Sequence, residues 1–349
     1  MPERTGAMEC RLVDRSPWPG LSKPLSPIGG FRHCHGGAVQ AKRYPPRTLL
    51  AVATTSTLGG RGDGPPAMIA TFGTLLRRPD RPIRNPAMNV SIEDRVLPTE
   101  HGDVFTRRWR TGNRHKTPIV LLHDSLGCVE LWRDFPERLA ATTSRDVIAY
   151  DRLGFGRSAA HPGGWTNQFV RDEADRFFPP VWQALDFEHF IAFGHSAGGI
   201  MATRLASCYP RHCRALITES AQAFVEDRTL QGIREARTTF TQPEQLARLR
   251  KYHGDKVRWI LRAWFDTWLS DSYAAWTLAD SAPGFSCPLL TIHGLQDEYG
   301  SVAHPRCIAA LASGPTRELL LDHCWHVPHR EHPEAVLVAV ERFLDAMDV

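Results

Sequence analysis

The sequence predicts an α/β fold built on a mostly parallel sheet with helices packed against it, and three observations predict it. From Met88 onward, apolar runs of strand length alternate with amphipathic stretches of helix length. Two of the runs are short and continuously apolar, as expected for strands buried on both faces. A Gly-x-Ser-x-Gly stretch, Gly194-His-Ser-Ala-Gly198, stands where one strand pattern gives way to a helical one.

The elements follow in order. Pro118 to His123 reads as a strand, Leu131 to Ala141 as a helix and Asp146 to Tyr150 as the next strand. A helix over Arg171 to Leu185 leads to the strand Phe190 to Phe193, then to a helix from Gly199 to Tyr209 and a strand from Arg214 to Thr218. Residues 221–284 break the alternation: they read as successive helices carrying Trp259, Trp264, Trp268 and Trp276, and are expected to form a cap over the carboxyl edge of the sheet. The strands Pro288 to Ile292 and Thr316 to Leu321 resume the pattern, and Glu334 to Met347 closes it as an amphipathic helix.

Residues 1–87 differ in kind from the domain expected over 88–349. They hold 12 of the 26 prolines and 11 of the 27 glycines without sustained apolar periodicity, so they are expected to be a disordered extension or an upstream stretch preceding a true start at Met88. They also hold 13 Lys and Arg against 5 Asp and Glu, leaving 29 against 33 in the remainder. The net charge of +4 therefore does not describe the main domain, which is mildly acidic, and a nucleic-acid partner is not expected. Eight cysteines lack metal-ligand spacing, and no apolar run is long enough to span a bilayer. With no secretory leader pattern, the chain is expected to be cytoplasmic, its thiols reduced. Neither a P-loop nor a G-x-G-x-x-G follows a strand, so no nucleotide or metal cofactor is expected.

The chemistry concentrates at Ser196. A serine on a tight strand-to-helix turn projects its Oγ above the sheet, and small neighbours are needed because the turn leaves little room. A hydroxyl needs a base to take its proton as it attacks. The stretch from Asp322 to Pro333 offers His323, His326, His329 and His332; His326 is favoured, with His329 second, on a loop between the last strand and the last helix. A carboxylate should hold the imidazole in the right tautomer, and Asp297, beside Glu298 after the preceding strand, is placed for it. Donors for a developing oxyanion are expected from the backbone N–H groups of Ala197 and Ser125. Trp264 and Trp268, four apart on one helix face, and His195 beside the serine are candidate substrate contacts; an aromatic face of this kind also packs a cap onto a sheet.

From about residue 90 to the end, the chain resembles the α/β-hydrolase superfamily. The resemblance rests on His123 to Gly127, Asp151-Arg-Leu-Gly-Phe-Gly-Arg-Ser158, the turn at Ser196, His293 to Asp297 and the His326 loop, five motifs in the family's order. It implies an eight-stranded, mostly parallel sheet, a cap between strands six and seven, and hydrolysis without a cofactor; a small-molecule ester-like substrate is the leading expectation. Two positions depart from the pattern: Asp124 stands for the usual glycine after His123, and Trp325 for the usual glycine before the catalytic histidine. Glycine frees backbone angles at such places, though Asp tolerates positive φ better than most residues, so the sequence defines these two loops less closely than the rest of the site. Carboxylesterase-like chemistry leads; C–C bond hydrolysis of meta-cleavage products, lactonase and thioesterase activity use the same triad, and a non-catalytic binding protein on the same fold is the reading from another class.

Overall fold

The computed structural model describes residues 89–164 and 166–347. The expectation for residues 1–87 lies outside these. Eight strands, β1 (Ser91–Leu97), β2 (Val104–Arg110), β3 (Ile119–Leu122), β4 (Val147–Tyr150), β5 (Phe190–His195), β6 (Cys213–Glu219), β7 (Leu289–Gly294) and β8 (Thr316–Leu321), form one sheet in the order β1-β2-β4-β3-β5-β6-β7-β8. β2 runs antiparallel to both neighbours, β1 and β4; every other pairing is parallel.

The continuous apolar runs are explained by side chains that alternate between two cores. Val120, Leu122, Ile148, Phe190, Ala192 and Leu216 enter one core, while Ile119, Leu121, Val147, Ala149, Ile191, Phe193 and Ile217 enter the other. The helix Phe135–Thr143 and the closing helix Pro333–Ala346 cover the second face, and the helices Phe178–Leu185 and Ala197–Cys208 cover the first. β3 pairs with β4 on one side and β5 on the other, so the strand order reverses at β3. Crevices at the carboxyl ends of strands beside such a reversal are where open α/β sheets place their sites.

The edge hairpin β1–β2 carried no apolar run and was not legible as strands, because five of the seven β1 residues are exposed and charged or polar residues dominate it. The helix expected over 171–185 is interrupted: Phe169–Asp172 is α-helical, Glu173–Phe177 widens into a π turn, and α-helix resumes at Phe178–Leu185. Pro179 and Pro180 have no N–H to donate to the preceding turn, which accounts for the widening. Residues 221–284 form the helices Asp227–Thr239, Pro243–His253, Val257–Trp268 and Leu278–Ser281, inserted between β6 and β7. No helix of the described residues is long and apolar enough to cross a membrane. The six described cysteines are free thiols.

Candidate active site

Ser196 follows β5 directly and precedes the helix Ala197–Cys208. Its backbone lies at φ 53°, ψ −121°, a region that residues with a Cβ rarely occupy. The Ser196 N–H donates to the carbonyl of Glu219 at 2.8 Å, fixing the turn to β6. A Cβ at Gly194 would meet the backbone of Gly198, one at Gly198 the carbonyl of Leu122, and one at Gly199 the side chain of Ala221. The flanking glycines thus let helix and strands approach closely enough to force the turn.

Three loops converge on that hydroxyl. His326, on the loop after β8, has Nε2 at 3.0 Å from Ser196 Oγ. Its Nδ1 lies 2.8 and 2.9 Å from the two carboxylate oxygens of Asp297, which follows β7 and is fully buried. The Tyr299 N–H also donates to Asp297, at 2.8 Å. Burial pushes the Asp297 carboxyl up, but the opposing pull of His326 prevails and holds it below its ordinary range. Glu298, the neighbouring carboxylate, is exposed.

The remaining histidines of the stretch are occupied elsewhere. His329, the second choice from sequence, is buried, with its Nδ1 2.8 Å from Glu219 and its backbone N–H donating to the same carboxylate. His323 is exposed, and His332 donates through Nε2 to the His323 carbonyl at 3.0 Å immediately before the closing helix. Only His326 reaches Ser196.

On the loop after β3, the N–H of Ser125 has no acceptor among the described residues, and neither has that of Ala197, the first residue of its helix. His123 lies under this loop, buried and held uncharged, its Nδ1 2.8 Å from the Asp124 carbonyl. The fully buried Arg152 donates to that carbonyl at 2.8 Å and, through its backbone N–H, to His123 Nε2 at 3.2 Å. Asp151 and Ser158 of the same motif are structural: Asp151 accepts the N–H groups of Val129 and Arg157 at 2.6 and 2.7 Å. Neither Asp124 nor Trp325 has a positive φ, so neither position requires glycine.

A cleft of about 210 Å³ opens over Ser196 between these loops and the inserted helices. Trp264 and Trp268 both reach it, but differently: Trp264 is half-buried, whereas Trp268 is buried edge-on to Tyr273 and Trp276. Trp259 packs elsewhere, stacked on His161. His195 borders the cleft, yet both its ring nitrogens face protein acceptors, so it is corrected from a substrate contact to an internal one. Sequence reasoning missed Gln222, Ile233, Leu249 and Tyr299, which also line the cleft. Tyr299, two residues beyond Asp297 and against the His326 ring at 4.7 Å, was the one with a positional signal.

The sheet order, the turn at Ser196 and the loops gathered above it define an α/β-hydrolase-fold protein. The family model described as alpha/beta hydrolase fold matches residues 117–244. Among similar proteins, 1-acylglycerol-3-phosphate O-acyltransferase ABHD5 of Homo sapiens is 32% identical over 130 residues, 35% of this chain and 35% of the relative. The (Lyso)-N-acylphosphatidylethanolamine lipase of Bos taurus is 33% identical over 110 residues, 30% of each. The chain thus spans about a third of the length of the curated relatives it matches. The crystal structure of the serine hydrolase CCSP0084 from Cycloclasticus zankles superposes with a TM-score of 0.61 at 16% identity, over 74% of this chain and 99% of that one.

Proposed function

We propose that the protein is a serine hydrolase that cleaves a carboxylic ester of a small molecule through an acyl-enzyme. Ser196 Oγ attacks the carbonyl carbon while its proton passes to His326 Nε2, and Asp297 holds the imidazole in the productive tautomer and stabilises the imidazolium. The carbonyl oxygen, now an oxyanion, is received by the N–H groups of Ala197 and Ser125. Collapse of the tetrahedral intermediate breaks the ester C–O bond, and His326 returns the proton to the departing alkoxide. Water then repeats the sequence on the acyl-serine, releasing the carboxylic acid and restoring Ser196.

The observation that carries this reading is the continuous contact from Asp297 through His326 to Ser196, at 2.8 and 3.0 Å. The relatives' names, a lipase and an acyltransferase, denote acyl chemistry of the same kind. The cleft is small beside the roughly 300 Å³ at which ligand pockets usually begin, and Ile233, Leu249, Trp264 and Trp268 give it apolar walls. These features favour short to medium acyl or small aromatic esters.

Ser196→Ala tests the assignment. Hydrolysis of p-nitrophenyl butyrate should fall by about 10⁴ to 10⁶ in kcat with the melting temperature unchanged. Activity within tenfold of the wild type would place the nucleophile elsewhere.

A further inference from the structure

Asp124 stands where glycine was expected without needing a glycine's backbone, and its side chain accounts for its presence. One carboxylate oxygen accepts the Leu126 N–H at 2.8 Å, and the other lies 3.4 Å from Nδ1 of His195, the residue just before Ser196. Nε2 of His195 lies 2.8 Å from the backbone carbonyl of His326. A carbonyl and an ionised carboxylate only accept, so the two groups facing the ring favour a proton on each nitrogen. Glu219 also faces it, with the rings of His326 and His329 each at 5.2 Å and Trp132 at 6.3 Å; on the other side, His123 and the Arg152 guanidinium approach Asp124. Burial opposes the His195 charge, but the Asp124 hydrogen bond and the charges of Glu219 and Asp124 prevail, raising the histidine to about 9. Burial likewise opposes the Asp124 charge, yet His195 holds that carboxyl far below the usual range.

We propose that Asp124 and His195 form a buried ion pair that ties the loop bearing Ser125 to the loop bearing His326, which makes His195 a positioning residue for both. The inference rests on the serine-hydrolase reading of those two loops. Loss of the His195 proton turns a lone pair toward a carboxylate, and the tie opens. Ester hydrolysis should therefore show an alkaline limb in kcat near pH 9 that belongs to His195. The neighbouring Tyr299 hydroxyl is pushed up by burial and titrates above that limb.

The test combines pH profiles of p-nitrophenyl acetate hydrolysis with histidine ¹⁵N shifts of the full-length wild-type protein. In the wild type, both His195 nitrogens should be protonated at pH 7 and titrate together with the alkaline limb. His195→Gln, which keeps one amide donor but cannot titrate, should lower kcat at pH 7 by about tenfold to a hundredfold and abolish the limb. Asp124→Asn should move the limb to lower pH by at least about one unit. A neutral His195 at pH 7, or an alkaline limb unchanged in His195→Gln, would overturn the proposal. The ¹⁵N titration needs no variant to fold. Activity surviving in Ser196→Ala would sink the serine reading while leaving the His195 titration in place, so the two failures are distinguishable.

Discussion

Replacing Asp297 by Asn removes the charge that meets the imidazolium and presents an amide that favours the wrong tautomer, so kcat should fall by about 10⁴. Glu298→Gln, at an exposed neighbour, should leave kcat within about twofold, and steady-state kinetics on both variants would expose an exchanged assignment. His329 is a different case. Its partner Glu219 is fully buried, so His329→Ala leaves a carboxylate without its imidazole and should cost about 3–5 kcal/mol of stability in urea titration. If His329→Ala instead abolishes kcat with stability intact, the base has been misassigned. The His195 charge also has a consequence for folding: because its folded value is raised, its stabilisation is complete below pH 6.5 and is lost as the pH climbs through about 9. Urea midpoints at pH 6 and pH 10 should differ in the wild type by more than in His195→Gln. At this scale the sequence pointed to three residues that the structure brings into contact, since spacing after a strand marks Ser196, Asp297 and His326. It could not expose the Asp124–His195 pair, whose members lie 71 positions apart and meet only because β3 and β5 are neighbours.

The inserted helix Val257–Trp268 carries three tryptophans, of which Trp264 and Trp268 are four apart, and periodicity alone could not separate packing from lining. The structure separates them by their surroundings. Trp268→Ala empties a buried aromatic cluster and should cost about 3–5 kcal/mol of stability, whereas Trp264→Ala should mainly raise KM for aromatic esters. Equal effects on stability from the two would contradict this division. The strands β3 to β7 were legible because burial on both faces leaves short, mainly apolar runs in them; β1 was not, because an exposed edge strand carries the charges that discourage edge-to-edge pairing, and β2 interleaves arginines with its apolar residues. The π turn at Glu173–Phe177 was hidden for another reason: apolar periodicity persists through it while the hydrogen-bond register changes.

At the scale of the whole molecule, a basic, proline-rich stretch over residues 1–87 precedes the eight-stranded domain. That stretch has no core pattern, so a chain begun at Met88 should keep the melting temperature and kcat of the full-length protein; aggregation or lost activity would show that the two parts depend on each other. The order of motifs was readable because each sits at the carboxyl end of a strand, where this topology must bring loops together, while Gln222, Ile233 and Leu249 of the insert, which also line the cleft, had no such register to betray them. Mass spectrometry after reaction with a fluorophosphonate tests whether Ser196 is the nucleophile. One adduct per chain is expected, on the peptide containing Ser196, abolished in Ser196→Ala and strongly slowed in His326→Ala. An adduct on another residue, or labelling undiminished in Ser196→Ala, would contradict it.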